Sequence, residues 1–243
     1  MSAFKTFTFG EGDEHIGQKT KSWKGEKDNS YRFSFVWFDG LDKGTPDLTK
    51  AAPQFTGAPC NYLQGVGYFV NQGPEYTKIA GQPPRNRAAT IIVVWPTDKD
   101  GDIDKSRLGK GDVDVQAWVF SDDTFKQLKK INKQFPLGSH DLGVTCTETQ
   151  YQKLTFISCT DNLLASFLTK PQAKAFTDKI INKAMTVFGD INTYIGKEMT
   201  IQQIREKQAG ATGAPGRAAA PAAVLAESTA ADLDNLVDNL LDN

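Results

Sequence analysis

The sequence predicts a mainly β protein with peripheral helices, and three observations carry that expectation. Residues 113–120 (VDVQAWVF) put Val113, Val115, Ala117 and Val119 on one face and Asp114, Gln116, Trp118 and Phe120 on the other, the two-residue period of a strand. Ser121 then opens a helix. Its hydroxyl can accept from first-turn amides, Asp122 and Asp123 suit the positive end of the dipole, and Phe125, Leu128 and Ile131 recur on one side before Phe135-Pro136 ends it. Two further strand-like runs follow, 141–147 and 151–159, spaced to pair as a hairpin across Glu148 to Gln150. Strand, helix and closing hairpin in that order form the second half of an OB-type Greek-key barrel, a common platform for single-stranded nucleic acid.

Taken in order, residues 4–9 (FKTFTF) alternate well enough for a short strand, and the polar stretch after them carries Lys19, Lys21, Trp23, Lys24 and Lys27. Basic groups around an indole suit an arm that touches phosphates and stacks on a base; the alternative is a loop whose Trp23 folds back onto the core. Residues 31–38 (YRFSFVWF) place Tyr31, Phe33, Phe35 and Trp37 on one strand face and Arg32, Ser34, Val36 and Phe38 on the other. Burial accounts for most of these rings, while Arg32 beside Tyr31 is suited to phosphate and base contact. Residues 39–59 lack a period and read as loop, and 62–70 (YLQGVGYFV) as a strand that can bend at Gly65 and Gly67. Its lone G-x-G is followed by no helix, so it is not a dinucleotide fingerprint.

Gly81 to Arg87 reads as a proline-stiffened loop that holds Arg85 and Arg87 at the mouth of the apolar strand 89–95 (ATIIVVW), where arginines could grip phosphates or simply face water. The acidic run 98–104 (DKDGDID) fails the calcium-loop spacing, because Ile103 stands at the sixth position counted from Asp98, and it reads as a turn. Past the hairpin, Pro171 opens a helix to about Phe188 with Phe176, Ile180, Ala184, Val187 and Phe188 on its apolar side. Thr200 and Gln203 then have capping-box spacing for a second short helix. Residues 209–227, nearly all alanine, glycine and proline, read as a tether. In 228–243 the apolar Leu233, Leu236, Val237, Leu240 and Leu241 recur at helical spacing among Asp232, Asp234, Asp238 and Asp242. So short a helix is marginal alone, which suits a peptide that folds on a partner. The predicted organisation is a core over 1–208, a linker over 209–227 and an acidic interaction tail over 228–243.

A chain of 243 residues with 39% hydrophobic and 23% charged residues can bury a substantial core. It shows no basic-then-apolar leader and no run near the roughly 20 apolar residues of a membrane helix, so a cytoplasmic protein without a membrane partner is expected. Three scattered cysteines, Cys60, Cys146 and Cys159, make no disulfide framework. The net charge of -1 hides a split: from Ala209 onward Arg217 is the sole base against Glu227 and the four tail aspartates, leaving the body slightly basic. A basic body with an acidic arm suits a polyanion binder. Catalysis is not expected. His15 and His140 are the two histidines, and no nucleophile elbow, zinc-protease motif or phosphate loop occurs. His140, Cys146 and Cys159 lack paired zinc spacing, so no metal or other cofactor is expected. No helix gathers arginine and polar readers as a duplex recognition helix does.

The strand, helix and hairpin of 113–159, the linker and the acidic tail together resemble the single-stranded DNA-binding proteins of tailed bacteriophages. The resemblance is one of architecture and rests on no single motif. Members of that group often end on an aromatic residue, whereas this chain ends Leu240-Leu-Asp-Asn243. The resemblance implies sequence-independent coating of single-stranded DNA during replication, recombination or repair. It also implies replication or recombination proteins as tail partners, and a tail that competes with DNA for the basic surface. On that footing Trp23, Tyr31, Trp37, Trp118 and Tyr151 are the candidate stacking rings and Lys24, Arg32, Arg85, Arg87 and Lys153 the candidate phosphate contacts. A non-enzymatic protein-interaction or virion-associated protein with a β-rich core and a tethered docking helix is the alternative, and the sequence leaves the oligomeric state open.

Overall fold

The computed structural model describes residues 22–38, 52–147 and 153–211. The expected strand at 4–9, Tyr151 and the tail at 228–243 lie outside them. The protein is mainly β, with helices on both faces of an antiparallel sheet of seven strands: β1 (Ser30–Phe35), β2 (Thr56–Leu63), β3 (Gly67–Val70), β4 (Arg85–Trp95), β5 (Asp114–Ser121), β6 (Leu142–Cys146) and β7 (Leu154–Ser158). The eleven residues of β4 are its spine. One edge of β4 pairs with β5 from Arg87↔Ser121 to Val94↔Asp114; the other is shared end to end by β2 and β1. β1 then pairs with β6, and β6 with β7, in a hairpin of Cys146↔Leu154 to Leu142↔Ser158 register.

The sheet is open, which corrects the closed barrel expected from the wiring: β3, β5 and β7 are each outermost and do not pair with one another. Helices cover both faces, so the apolar residues are buried without closure. On one face α4 (Leu163–Leu168), α5 (Lys174–Gly189) and α6 (Ile191–Ile195) cover Ile91, Val93, Trp95, Val115 and Ala117. On the other, α3 (Asp122–Gln134) and residues 23–25 cover Phe33, Phe35, Ile92, Trp118, Leu142 and Val144. Two opposed cores explain why β4 is apolar on every residue of its centre.

Several elements follow the sequence rules closely. Ser121 caps α3 by accepting from the Thr124 amide at 3.5 Å. At α7 (Ile201–Ala211) the capping box closes both ways, Gln203 N donating to Thr200 Oγ1 at 3.2 Å and Thr200 N to Gln203 Oε1 at 2.9 Å. Others depart from the expectation. The run 62–70 is the turn of a β2–β3 hairpin, with Gly65 and Gly67 at φ 82° and 88°, and β2 starts at Thr56 inside the stretch read as loop. Arg85 and Arg87 belong to β4 and not to a loop. Residues 171–173 form a 3-10 turn ahead of α5. Two short helices, α1 (Pro74–Ala80) and α2 (Lys105–Gly109), and the six-residue α4 escaped the periodicity because they are too short to repeat it. Ala209–Ala211 continue α7, so the tether begins later than expected. No described helix is long and apolar enough to cross a membrane.

Candidate nucleic-acid interface

Four predicted stacking rings fall among the described residues, and three of them are sealed. Trp37 is fully buried, Trp118 is 1% exposed and Trp23 4%, which corrects their assignment: a ring packed on all sides offers no face to a base. Trp23 docks edge-on against Phe33, Tyr31 and Trp118 with ring centroids 4.9, 5.3 and 5.8 Å apart, the fold-back that its sequence context allowed. Tyr31 keeps part of its surface. Its hydroxyl accepts from Glu26 N at 2.8 Å. With Lys24, Lys99 and Arg107 it lines a cleft of about 470 Å³ that also holds Glu26, Asp98, Asp112 and Asp114. The mixture of signs leaves that cleft little field for a polyanion.

Arg32 is also corrected as a phosphate contact. Its Nε donates to Asp141 at 2.8 Å and its Nη2 to Asp161 at 2.7 Å, so its charge is spent inside the protein. Burial works against this guanidinium, yet Asp141 and Asp161 hold its pKa above the ordinary value. Asp141 itself is wholly buried. Burial pushes its carboxyl up to about 6, opposed by Arg32, by the Ser34 hydroxyl and by the Leu163 amide 3.2 Å away. The charge pair and its donors tie β1, β6 and the start of α4 together, which is a structural role.

Arg85 and Arg87 stand in a different setting. Strand alternation and the register of β2, β3 and β4 put Cys60, Tyr62, Tyr68, Arg85 and Arg87 on one face of the sheet, with Cys60 opposite Arg85 and Tyr62 opposite Tyr68. The two tyrosine rings are 5.0 Å apart and nearly half exposed, 46% and 45%. The Arg87 guanidinium lies 3.6 Å over the Tyr68 ring, and its Nη1 donates to the Ile195 carbonyl at the end of α6. Burial lowers the pKa of Arg87, and Tyr68 and Cys60 act against that. Cys60 beneath stays a neutral thiol, since burial pushes it up to about 11. Arg85 beside this group is exposed. Past the edge of β3, Lys197 N donates to the Tyr68 carbonyl at 3.1 Å, and Lys197 also lines a cleft of about 720 Å³ with Glu198, Gln203, Glu206 and Lys207.

The predicted residues therefore divide by place. Arg85 and Arg87 sit on the β2–β3–β4 platform, Lys24 and Tyr31 at the small cleft, and Lys153 at the far edge of the sheet beside β7, across from β3. Tyr62 and Tyr68 were missed. Their signal was the near symmetry of 62–70 about its glycines, which becomes a facing pair only once the run is read as a hairpin. Among the described residues no three of His, Cys, Asp and Glu converge to hold a metal; His140 Nδ1 contacts Ser139 Oγ and the Pro136 carbonyl. Comparison with protein-family models, curated proteins and solved structures finds no match.

Proposed function

We propose that this protein binds single-stranded DNA without sequence preference and without catalysis, in the service of phage DNA replication, recombination and repair. The observation that carries the reading is the exposed Tyr62–Tyr68 pair with Arg87 over one ring and Arg85 alongside. Flat rings beside positive side chains take bases of any identity, because every base has a π-face and every nucleotide a phosphate. Arg87 is held by Ile195 and Tyr68, so its part is to stiffen the platform, and Arg85 is the group placed to meet a phosphate. The order β5, α3, β6, β7 supports deriving the open sheet from an OB-type arrangement. The acidic segment 228–243 would compete for the platform and recruit replication or recombination proteins when DNA displaces it.

Titration of fluorescent oligo-dT and of duplex of equal length, each at two salt concentrations, tests this. Tighter, salt-dependent binding of the single strand is expected. Replacing both Tyr62 and Tyr68 with alanine should weaken it about tenfold or more, since each base stack is worth about 1–3 kcal/mol. Affinity for oligo-dT that is absent or indifferent to salt would remove the proposal. It would favour the second reading, a protein-interaction or virion-associated protein, for which the burial of three candidate rings and the mixed charge of the small cleft speak.

A further inference from the structure

We propose that the outer edge of β7 is a self-association site, where a second copy of this chain adds its own β7 antiparallel across a two-fold axis at Ile157. The inference goes beyond the nucleic-acid reading and does not depend on it. The sheet has three outer edges, and two are occupied by the chain itself. At β3 the Val70 amide donates to the Lys197 carbonyl at 3.0 Å and the Lys197 amide to Tyr68. At β5 the Ala117 carbonyl accepts from Trp23 N at 2.7 Å, and Ser22 bridges to Ala117. β7 has no such cover among the described residues.

The direction of its free groups is fixed. Thr147 N donates to the Lys153 carbonyl at 3.1 Å and Cys159 N to the Asp141 carbonyl at 3.0 Å, so the odd-numbered residues face β6. The amides and carbonyls of Leu154, Phe156 and Ser158 consequently point outward, and no described residue pairs with them. The usual guards of an edge are missing too: 154–158 (LTFIS) has no charge and no proline, and its register with β6 runs without a bulge. Ile157 is 65% exposed, more than any other large hydrophobic side chain described.

Charge picks both the occupant and the register. An uncharged strand with free groups along one side is complementary to itself. Outward-facing residues must meet outward-facing residues, so Phe156 can pair with Ser158 of the second copy, which sets Ile157 against its own counterpart at a non-hydrogen-bonded position, where side chains are closest. In that register Lys153 falls opposite Asp161 of the second copy at both ends, and the Asp161 side chain is half exposed beside Arg32. Shifting the axis to Phe156 would set Lys153 against Cys159, and shifting it to Thr155 would set Lys153 against Ile157; neither matches the charge.

Sedimentation of the full chain over a wide concentration range should show a mass rising from 26.6 kDa toward twice that value. Ile157→Lys puts like charges on the axis at an exposed position, so the variant should keep its circular dichroism and melting while remaining monomeric. In a Cys159→Ser background, Ile157→Cys should cross-link on oxidation, because Cα atoms at such a position approach to about 4.5 Å, within disulfide reach. A chain that stays monomeric throughout overturns the proposal. So does a dimer indifferent to Ile157→Lys, which would place the contact elsewhere, and so does a dimer abolished by deleting residues 228–243, which would assign it to the acidic segment.

Discussion

Asp141 shows how a single residue can be read correctly as polar and wrongly as peripheral. It heads the run 141–147, where an aspartate looks like a turn residue, yet it is wholly buried and accepts from Arg32, Ser34 and the Leu163 amide. Ser34 in turn accepts from Trp95 Nε1 at 2.8 Å, so the network reaches β4. Asp141→Ala would leave Arg32 half-compensated and two buried donors unpaired. A loss of about 3–5 kcal/mol in denaturant unfolding is expected. The pH dependence has a definite sign. With a native pKa near 6 against about 3.9 unfolded, the native state binds this proton more tightly, so the contribution of Asp141 to stability falls as pH rises from about 4 to about 6 and is flat above. Its carboxyl carbon should titrate near 6 by NMR. Gly25 is a second residue fixed by its surroundings: a Cβ there would lie 2.2 Å from Cys146 Sγ and 2.9 Å from Trp23 Cη2. Gly25→Ala should lower the melting temperature and loosen the Trp23 packing, visible as a red shift of tryptophan emission.

At the scale of elements, local rules succeed where the signal closes within a few residues. The α7 capping box is of that kind, and Thr200→Ala should cost about 1 kcal/mol in thermal or denaturant unfolding. β5 and α3 were legible for the same reason, since alternation, cap and apolar stripe agree there. The 62–70 run shows the limit. Its residues alternate acceptably as one strand, but Gly65 and Gly67 at positive φ turn the chain back, and only pairing with β4 on the other side of β2 reveals which reading holds. Arg85 and Arg87 were placed near the right strand and in the wrong state, because two prolines before them suggested a loop while β2 supplied the ladder.

For the whole molecule, the division into two opposed cores decides what the tryptophans can do. All four, Trp23, Trp37, Trp95 and Trp118, are 4% exposed or less. Oligonucleotide binding at the Tyr62–Tyr68 platform should therefore leave tryptophan emission nearly unchanged, whereas strong quenching would mean that DNA contacts another face or opens a core. The acidic tail against a slightly basic body gives a second expectation at this scale. Deleting residues 228–243 should tighten oligo-dT binding at low salt, with the difference shrinking as salt screens it; an unchanged or weaker affinity would argue against competition.

By itself, the sequence determined the β-rich class, the strand, helix and hairpin of the second half, the caps of α3 and α7, and the split between body and acidic tail. Each of these depends on neighbours in the chain, where spacing alone fixes which groups meet. The tertiary structure decided that the sheet stays open, that Trp37 and Trp118 are core, that Arg32 is neutralised by Asp141 and Asp161, and that Tyr62 and Tyr68 share a face with Arg85 and Arg87. Those outcomes turn on which face a neighbouring strand or helix covers, and partners up to about 130 residues apart leave no periodic trace in the sequence between them.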